Sequence, residues 1–429
     1  MKSPSLGRAL AVASLAFAFA AFGLAHAPQR AGAASAPDSA SGTDLAMVVV
    51  MTRHGVRSPT HPDELNAYSA RPWPAWKVAP GRLTPHGAAL MRGFGEAYGR
   101  RYGSLAPAVA GCPARDAVFV WADTDQRTLA TGRALLDGFA PKCSSIGVNH
   151  ASTKTDTLFD PSAGRVDVAR SKASLLGAVG GDPNSLTQTH AREYGELNGV
   201  LGCVAPARCT PLAGIKTSVV STGDGGLAEL SGGFDLAESA VGDLYLGYVE
   251  GLPDAGWGKL DARTMLDLLA LRSAQSRLVR QNPYTAQAHS SNILKHIAET
   301  LLQGATSAKS PEIAAPAGAR IVFLVGHDTQ LSQLAGLLRL SWLAPQGPFN
   351  DAPPGGALVF ELHAPAASPA YVRLFFAAQR MTDMRAGIGT RPDFVPVYVP
   401  GCPSLDCPLE AFSKIVDAAI DPSFVQPWR

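Results

Sequence analysis

Two arginines bracket a histidine in Arg53-His54-Gly55-Val56-Arg57-Ser58-Pro59-Thr60. Each guanidinium offers a fork of permanently charged N–H donors that matches a phosphate or a carboxylate. A second positive charge on the imidazole between them is disfavoured, so His54 is expected to stay neutral and nucleophilic at moderately acid pH. Farther along lie Arg127, in Asp123-Thr124-Asp125-Gln126-Arg127-Thr128, and the pair His327 and Asp328, in Gly326-His327-Asp328-Thr329. Singly these have ordinary explanations: a surface arginine, a hydrogen-bonding histidine, an aspartate capping a helix. Together, three arginines, two histidines and a carboxylate suit a phosphoryl group. The cations hold and neutralise its oxygens, and one imidazole attacks in line. The carboxylic acid protonates the leaving oxygen and then helps to activate water. Because that acid must carry a proton, activity is expected to favour acid pH. On the residues alone both histidines remain candidates for the nucleophile, with the flanking arginines favouring His54.

Each of these stretches follows an apolar run that reads as a buried strand: residues 45–52, 117–121 and 320–325. Ligands of open α/β sheets bind beyond the carboxyl ends of the strands, so a largely parallel sheet gathers all three on one rim. Helices are predicted from Thr84-Pro85 to Tyr102, through Leu135 to Phe139, and over 331–340. From 160 to 315 the sheet pattern disappears. Helical spacing takes over in 234–249, 261–279 and 285–302, the last with Gly304 as a stop. Residues 357–362 and 371–378 read as a late hairpin behind the turn Pro353-Pro354-Gly355-Gly356. Trp73 and Trp76 read as anchors of a Pro-rich loop. The fold class expected is α/β, a mixed, mostly parallel sheet flanked by helices. Its core comprises 45–159 and 316–429, interrupted by a mainly helical subdomain over 160–315.

The amino terminus stands apart. Lys2 and Arg8 precede an apolar run over 9–24, with small-residue sites at Ala25-His26-Ala27 and Ala31-Gly32-Ala33. This is the pattern of a secretory signal peptide, too short and alanine-rich for a comfortable membrane span. The second site is favoured because the first leaves Pro28 at the new terminus, so 1–33 is assigned as the signal and 34–44 as a disordered leader. Cleavage removes Lys2, Arg8 and Arg30 and no acid, turning a net charge of +2 into −1. No bulk basic character remains to suggest nucleic acid or an anionic membrane. The expected location is periplasmic or secreted.

Six cysteines fall in three neighbouring couples, Cys112 and Cys143, Cys203 and Cys209, Cys402 and Cys407. In an exported chain they read as disulfides. Six allow about fifteen pairings, of which pairing within each couple is the simplest. A metal site is the competing reading, but a paired C-x-x-C pattern and clustered histidines are both missing from the sequence.

The stretches at Arg53–Thr60 and at Gly326–Thr329 resemble the two signatures of the histidine acid phosphatases, the larger-enzyme branch of the histidine phosphatase superfamily, which includes bacterial periplasmic phytases and glucose-1-phosphatases. The stretch from Asp123 to Thr128, Leu83-Thr84-Pro85-His86-Gly87, Leu252-Pro253-Asp254-Ala255-Gly256-Trp257-Gly258 and Pro353-Pro354-Gly355-Gly356 resemble further stretches of these enzymes, in the same order. The likeness covers nearly the whole mature chain and is weakest in the helical insert. It implies a phosphoglycerate-mutase-like fold and hydrolysis of phosphomonoesters through a phosphohistidine. His54 is then the nucleophile and Asp328 the proton donor, with Arg53, Arg57, Arg127 and His327 on the phosphate and no metal or cofactor. It also implies disulfides at the three cysteine couples.

Inositol hexakisphosphate is the substrate this resemblance favours, with hexose phosphates or a broad range of esters as the alternative. A remoter alternative is non-catalytic binding of phosphate esters. Phytases of the group typically have Thr-Lys where this chain has Thr60-His61, and His61 can hold further phosphates only when protonated. The helix around Glu238 also departs from the phytase pattern, and Arg272 is a candidate compensating cation. Thr60, His61, Glu238 and Arg272 are therefore the candidate substrate-binding residues. The partner expected is a small phosphate ester, with neither nucleic acid nor, after signal cleavage, a membrane; the sequence specifies no oligomeric state.

Overall fold

Val48, Val49 and Val50 are stiff at χ1 and suited to a pleated, doubly buried strand, and they lie at the centre of the molecule. The computed structural model describes residues 44–109, 111–161, 164–203, 209–222, 226–306 and 315–427. The expected signal peptide and residues 34–43 of the leader lie outside the described residues. The main elements, in chain order, are β1 Leu45–Arg53, α1 Pro85–Tyr102, β2 Val118–Ala122, α2 Gln126–Phe139, β3 Val148–Asn149, α3 Val168–Ala178 and α4 Ala191–Leu201. Next come β4 Thr217–Ser221, β5 Ala228–Gly232, α5 Gly233–Val249, α6 Ala262–Gln275 and α7 Pro283–Thr306. The chain continues with β6 Ile321–Gly326, α8 Asp328–Leu338, β7 Ala357–His363, β8 Tyr371–Ala378, β9 Asp393–Val397, β10 Asp406–Pro408 and α9 Leu409–Ala419.

The main sheet runs β9-β8-β7-β1-β6-β2-β3, with β10 also paired to β8. β1, β6, β2 and β3 are mutually parallel, while β7 lies antiparallel between β1 and β8. β9 and β10 oppose β8, so β8 shares the direction of β1 and the sheet is mixed with most strands aligned. Alternate residues of β1 feed two cores. Met47, Val49 and Met51 pack with α7, α8 and α9, whereas Val48 and Val50 pack with α1 and α2. Burial on both faces explains why these strands read as continuous apolar runs. Each fully buried valine or methionine contributes roughly 1.5–3 kcal/mol.

A third core forms around α4, α5 and α6, with Leu197, Phe234, Val241 and Leu268 at its centre. Here the structure departs from the sequence reading in three places. β4 and β5 form an antiparallel hairpin inside the stretch expected to be mainly helical, where no strand was foreseen, Thr217 pairing with Gly232. Five-residue strands with one half-buried face leave little periodic signal. α7, expected to close the insert, instead covers the main sheet, burying Ile293, Ile297 and Leu301 against β1 and β6. Nor does Gly304 stop it. A Cβ there would lie 2.9 Å from the Met47 side chain, so the glycine lets the helix approach the sheet and the helix runs on to Thr306.

Disulfides join Cys112 to Cys143, Cys203 to Cys209 and Cys402 to Cys407, the three couples expected. Trp73 tilts against Trp257 and donates its indole N–H to the Leu65 carbonyl, so it anchors its loop to the third core. Among the described residues no helix is long and apolar enough to cross a membrane.

Candidate active site

Parallel pairing brings the carboxyl ends of β1, β6 and β2 level, Arg53 opposite Gly326 and Ala122 opposite Val325. The turn that follows β1 is held on every side. His54 N–H donates to the Gly326 carbonyl, the His54 carbonyl accepts from Gly355, and Gly55 N–H donates to Thr131 Oγ1 on α2. Gly55 has no room for a side chain, because a Cβ would sit 2.7 Å from Met91 Cγ and 3.1 Å from the Gly87 carbonyl. The turn residues and the Pro-Pro-Gly-Gly loop thus fix one imidazole in one orientation.

His54 is 2 % exposed. Its Nδ1 lies 2.8 Å from the Gly55 carbonyl. A carbonyl only accepts, so Nδ1 carries the proton and Nε2 keeps a lone pair. Burial, then Arg53, His327 and Arg57, push the imidazole well below its usual pKa, leaving it neutral in acid as the sequence suggested. The His327 ring stands edge-on at 5.4 Å. His327 Nε2 donates to Asp123 Oδ2 at 2.7 Å, and Arg127 pairs with Asp125 at 2.6 Å. Asp123, Asp125 and His327 place three ligand-type atoms within 4.8 Å of one another, but these bonds to each other and to Arg127 account for the grouping.

Arg53 is 3 % exposed and donates to the Ala352 carbonyl at 2.5 Å; Arg57 donates to the Ser58 carbonyl at 2.8 Å. The Nε atoms of Arg53, Arg57 and Arg127 are buried and have no acceptor among the described residues. Three charged donors desolvated in one place are costly without an anion, and this is the electrostatic signature of a site for one. Burial and the neighbouring Arg53 and Arg127 lower Arg57 to about 10, so it remains a cation.

Asp328 opens α8 and does not serve as its cap, the N-cap position being His327. Its Oδ2 takes Arg272 Nη2 and Arg280 Nη1, each at 2.8 Å, and lies 3.7 Å from Arg53 Nη2. Burial alone would raise this carboxyl, but Arg280, Arg53 and Arg272 hold it well below the usual range. The free protein therefore carries Asp328 ionised, which corrects the simple expectation that acid pH itself protonates it. Arg272 Nη1 also pairs with Glu238 Oε1 at 2.8 Å. Glu238 and Arg272 thus join the site, while Thr60 and His61 sit exposed at its mouth. All four line a cavity of about 140 Å³ with Arg53, Arg57, Arg280, Asp243 and Asp328.

Two of these residues escaped the sequence reading. Arg280 follows Arg272 by eight positions, which in a straight α-helix at 3.6 residues per turn lie about 80° apart. Residues Ser276–Arg280 form a π turn, which takes more residues per turn and brings both guanidinia to one carboxylate oxygen. Asp243 left a usable signal, a lone acid inside Ala240-Val241-Gly242-Asp243-Leu244-Tyr245-Leu246. Burial pushes it up to about 7; Arg57 and Arg272 oppose the rise, and Glu238 and Glu64 reinforce it.

A model of the histidine phosphatase superfamily, branch 2, matches residues 44–185. Phytase AppA of Escherichia coli (strain K12) is 30 % identical over 424 residues, which span 92 % of this chain and 96 % of that protein. The chain belongs to the histidine phosphatase superfamily, branch 2. A glucose-1-phosphatase of Salmonella typhimurium (strain LT2) is 26 % identical over 424 residues, 93 % of this chain and 98 % of the relative. The structure of Hafnia alvei phytase in complex with tartrate superposes with a TM-score of 0.83 at 30 % identity, covering 91 % of this chain and 100 % of that one. As a branch 2 histidine phosphatase the chain is a histidine acid phosphatase, a phosphoric monoester hydrolase of phytase-like type.

Proposed function

We propose that this histidine acid phosphatase forms a phosphohistidine on Nε2 of His54 and that its preferred substrate is inositol hexakisphosphate. The observation that carries the mechanism is the 2.8 Å contact of His54 Nδ1 with the Gly55 carbonyl, beside three arginines whose Nε atoms lack acceptors among the described residues. In the first step Nε2 bonds to phosphorus in line, the ester P–O bond breaks, and the leaving oxygen takes a proton from Asp328. In the second, water attacks the phosphohistidine, Asp328 accepts its proton, and inorganic phosphate leaves. Arg53, Arg57, Arg127 and His327 neutralise the charge that builds on the phosphoryl oxygens. Nothing in this sequence of steps calls for a metal. The preference for a polyphosphate is supported by Arg272, Arg280 and His61 lining the cavity beyond the reacting phosphate, and by the phytases among the relatives. The amino-terminal pattern supports export to the periplasm or beyond.

The test compares kcat/KM for phosphate release from inositol hexakisphosphate, glucose 1-phosphate and an aryl phosphate in mildly acid buffer containing a chelator. Turnover of all three, fastest per encounter on the inositol ester, is expected. Preference for glucose 1-phosphate transfers the chain to the hexose-phosphate reading, and silence on all three with an intact fold removes the catalytic one.

Asp243 supplies an acid preference of its own. Below pH about 7 it is neutral; above, it adds a negative charge to a cavity that must receive phosphates. Asp243→Asn stays neutral at every pH. The ratio of mutant to wild-type kcat/KM is expected to be near one in acid and to rise roughly three- to tenfold above neutrality. A ratio that does not change with pH would discard this role.

A further inference from the structure

The proton donor of this site begins without its proton. Asp328 Oδ2 is held at 2.8 Å by both Arg272 and Arg280, with Arg53 at 3.7 Å. Arg57 adds to the positive field, while Asp351, in the loop before β7, and Glu238, across Arg272, are the negative groups nearby. A carboxylate gripped by two guanidinia cannot protonate a leaving group until the grip loosens. The phosphate that reacts at His54 can draw on Arg53, but Arg272 and Arg280 approach Asp328 from the helical layer, along the wall of the cavity. Arg280, a quarter of whose side chain is exposed, has room to turn towards it, while Arg272 is also held by Glu238.

We propose that Arg272 and Arg280 form a latch on Asp328 that a second phosphate of the substrate releases. The neighbouring phosphate of a polyphosphorylated ester takes over both guanidinia. Asp328 then gains one proton from solvent and passes it to the leaving oxygen, so substrate binding and acid activation become one event. A simple monoester lacks the second phosphate and meets the latch closed. The inference rests on the phosphomonoesterase reading above, and it names Arg272 and Arg280 as the residues by which this site distinguishes polyphosphates from monoesters.

Two measurements test it. The first compares wild type with Arg280→Gln, the more exposed member of the pair, on three substrates: inositol hexakisphosphate, glucose 1-phosphate and an activated aryl phosphate. With the latch weakened, kcat/KM for the hexakisphosphate is expected to fall about tenfold. That for glucose 1-phosphate is expected to rise, because Asp328 is protonated more readily, and that for the aryl ester, which needs little protonation, to lose less than the hexakisphosphate does. An equal loss on all three would reduce Arg280 to a structural residue and overturn the proposal. The second measurement uses calorimetric titration in two buffers of different ionisation enthalpy, at a mildly acid pH where Asp243 is already neutral. Its probes are myo-inositol hexakis sulphate and inorganic sulfate, neither of which titrates there. About one more proton should be taken up with the hexasulfate than with sulfate in wild type, and this excess should vanish in Asp328→Asn. Equal uptake with both anions would overturn the latch. Because this readout needs no turnover, it decides the proposal even where the substrate comparison finds no activity and the catalytic reading itself has failed.

Discussion

His54→Ala is expected to lower phosphate release by on the order of 10⁵- to 10⁶-fold on every substrate, the scale seen when a covalent nucleophile is removed. The imidazole does little else in the fold. Among the described residues its one hydrogen bond runs from Nδ1 to the adjacent Gly55 carbonyl, and the backbone bonds to Gly326 and Gly355 that hold the turn do not involve the side chain. Truncation leaves a small buried gap beside charges that already face one another, so the fold should persist and inorganic phosphate should still bind. Quenched-flow trapping with a radiolabelled ester checks the chemistry directly. Wild type should accumulate an acid-labile phosphoenzyme, and the variant none. A variant that retains more than about one hundredth of the rate would move the nucleophile to another group.

Asp328→Asn is expected to split substrates by leaving group. Esters of sugar or inositol alcohols should slow by about 10²- to 10⁴-fold, the usual share of a general acid, while an activated aryl phosphate should slow far less. The substitution also removes the one carboxylate shared by Arg272, Arg280 and Arg53. Taking one partner from a buried ionic cluster costs about 3–5 kcal/mol, which an added anion can partly restore. Phosphate should therefore raise the Tm of the variant by more than it raises that of wild type. In wild type the sign of the pH effect is set by the depressed carboxyl. Its stabilisation is complete above the usual aspartate range and is lost only as pH falls through the lower folded value, so the ion cluster survives in the acid in which the enzyme works. Equal slowing of both kinds of ester would reject the proton-donor role.

What could be read from the sequence was local. Three apolar runs announced three strands, and each catalytic candidate followed within a few residues of a strand end, so parallel pairing was enough to bring Arg53, His54, Arg127, His327 and Asp328 to one rim. The same local reading predicted the direction of the shift at His54, to which burial contributes most and the chain neighbours Arg53 and Arg57 add, together with the remote His327. Asp328 is the opposite case. Its ionisation depends on Arg53, Arg272 and Arg280, none of them within forty residues, and only their meeting on one oxygen reveals it. Arg280 was hidden by helical periodicity, which pointed it away from Arg272. The β4–β5 hairpin was too short to show alternation, and Gly304 was misread because a glycine needed for close packing looks the same in sequence as one that ends a helix.

The π turn over Ser276–Arg280 makes the position of Arg280 a matter of counting residues. An i→i+5 turn holds one residue more than the α turn it replaces. Deleting Ser276, Leu278 or Val279 would let the helix close normally with Arg280 seven positions after Arg272, about 20° from it, so the arginine would keep the face it has now. The change that would carry Arg280 about 80° away from Arg272 is the closing of the same residues as a regular α-helix with none removed.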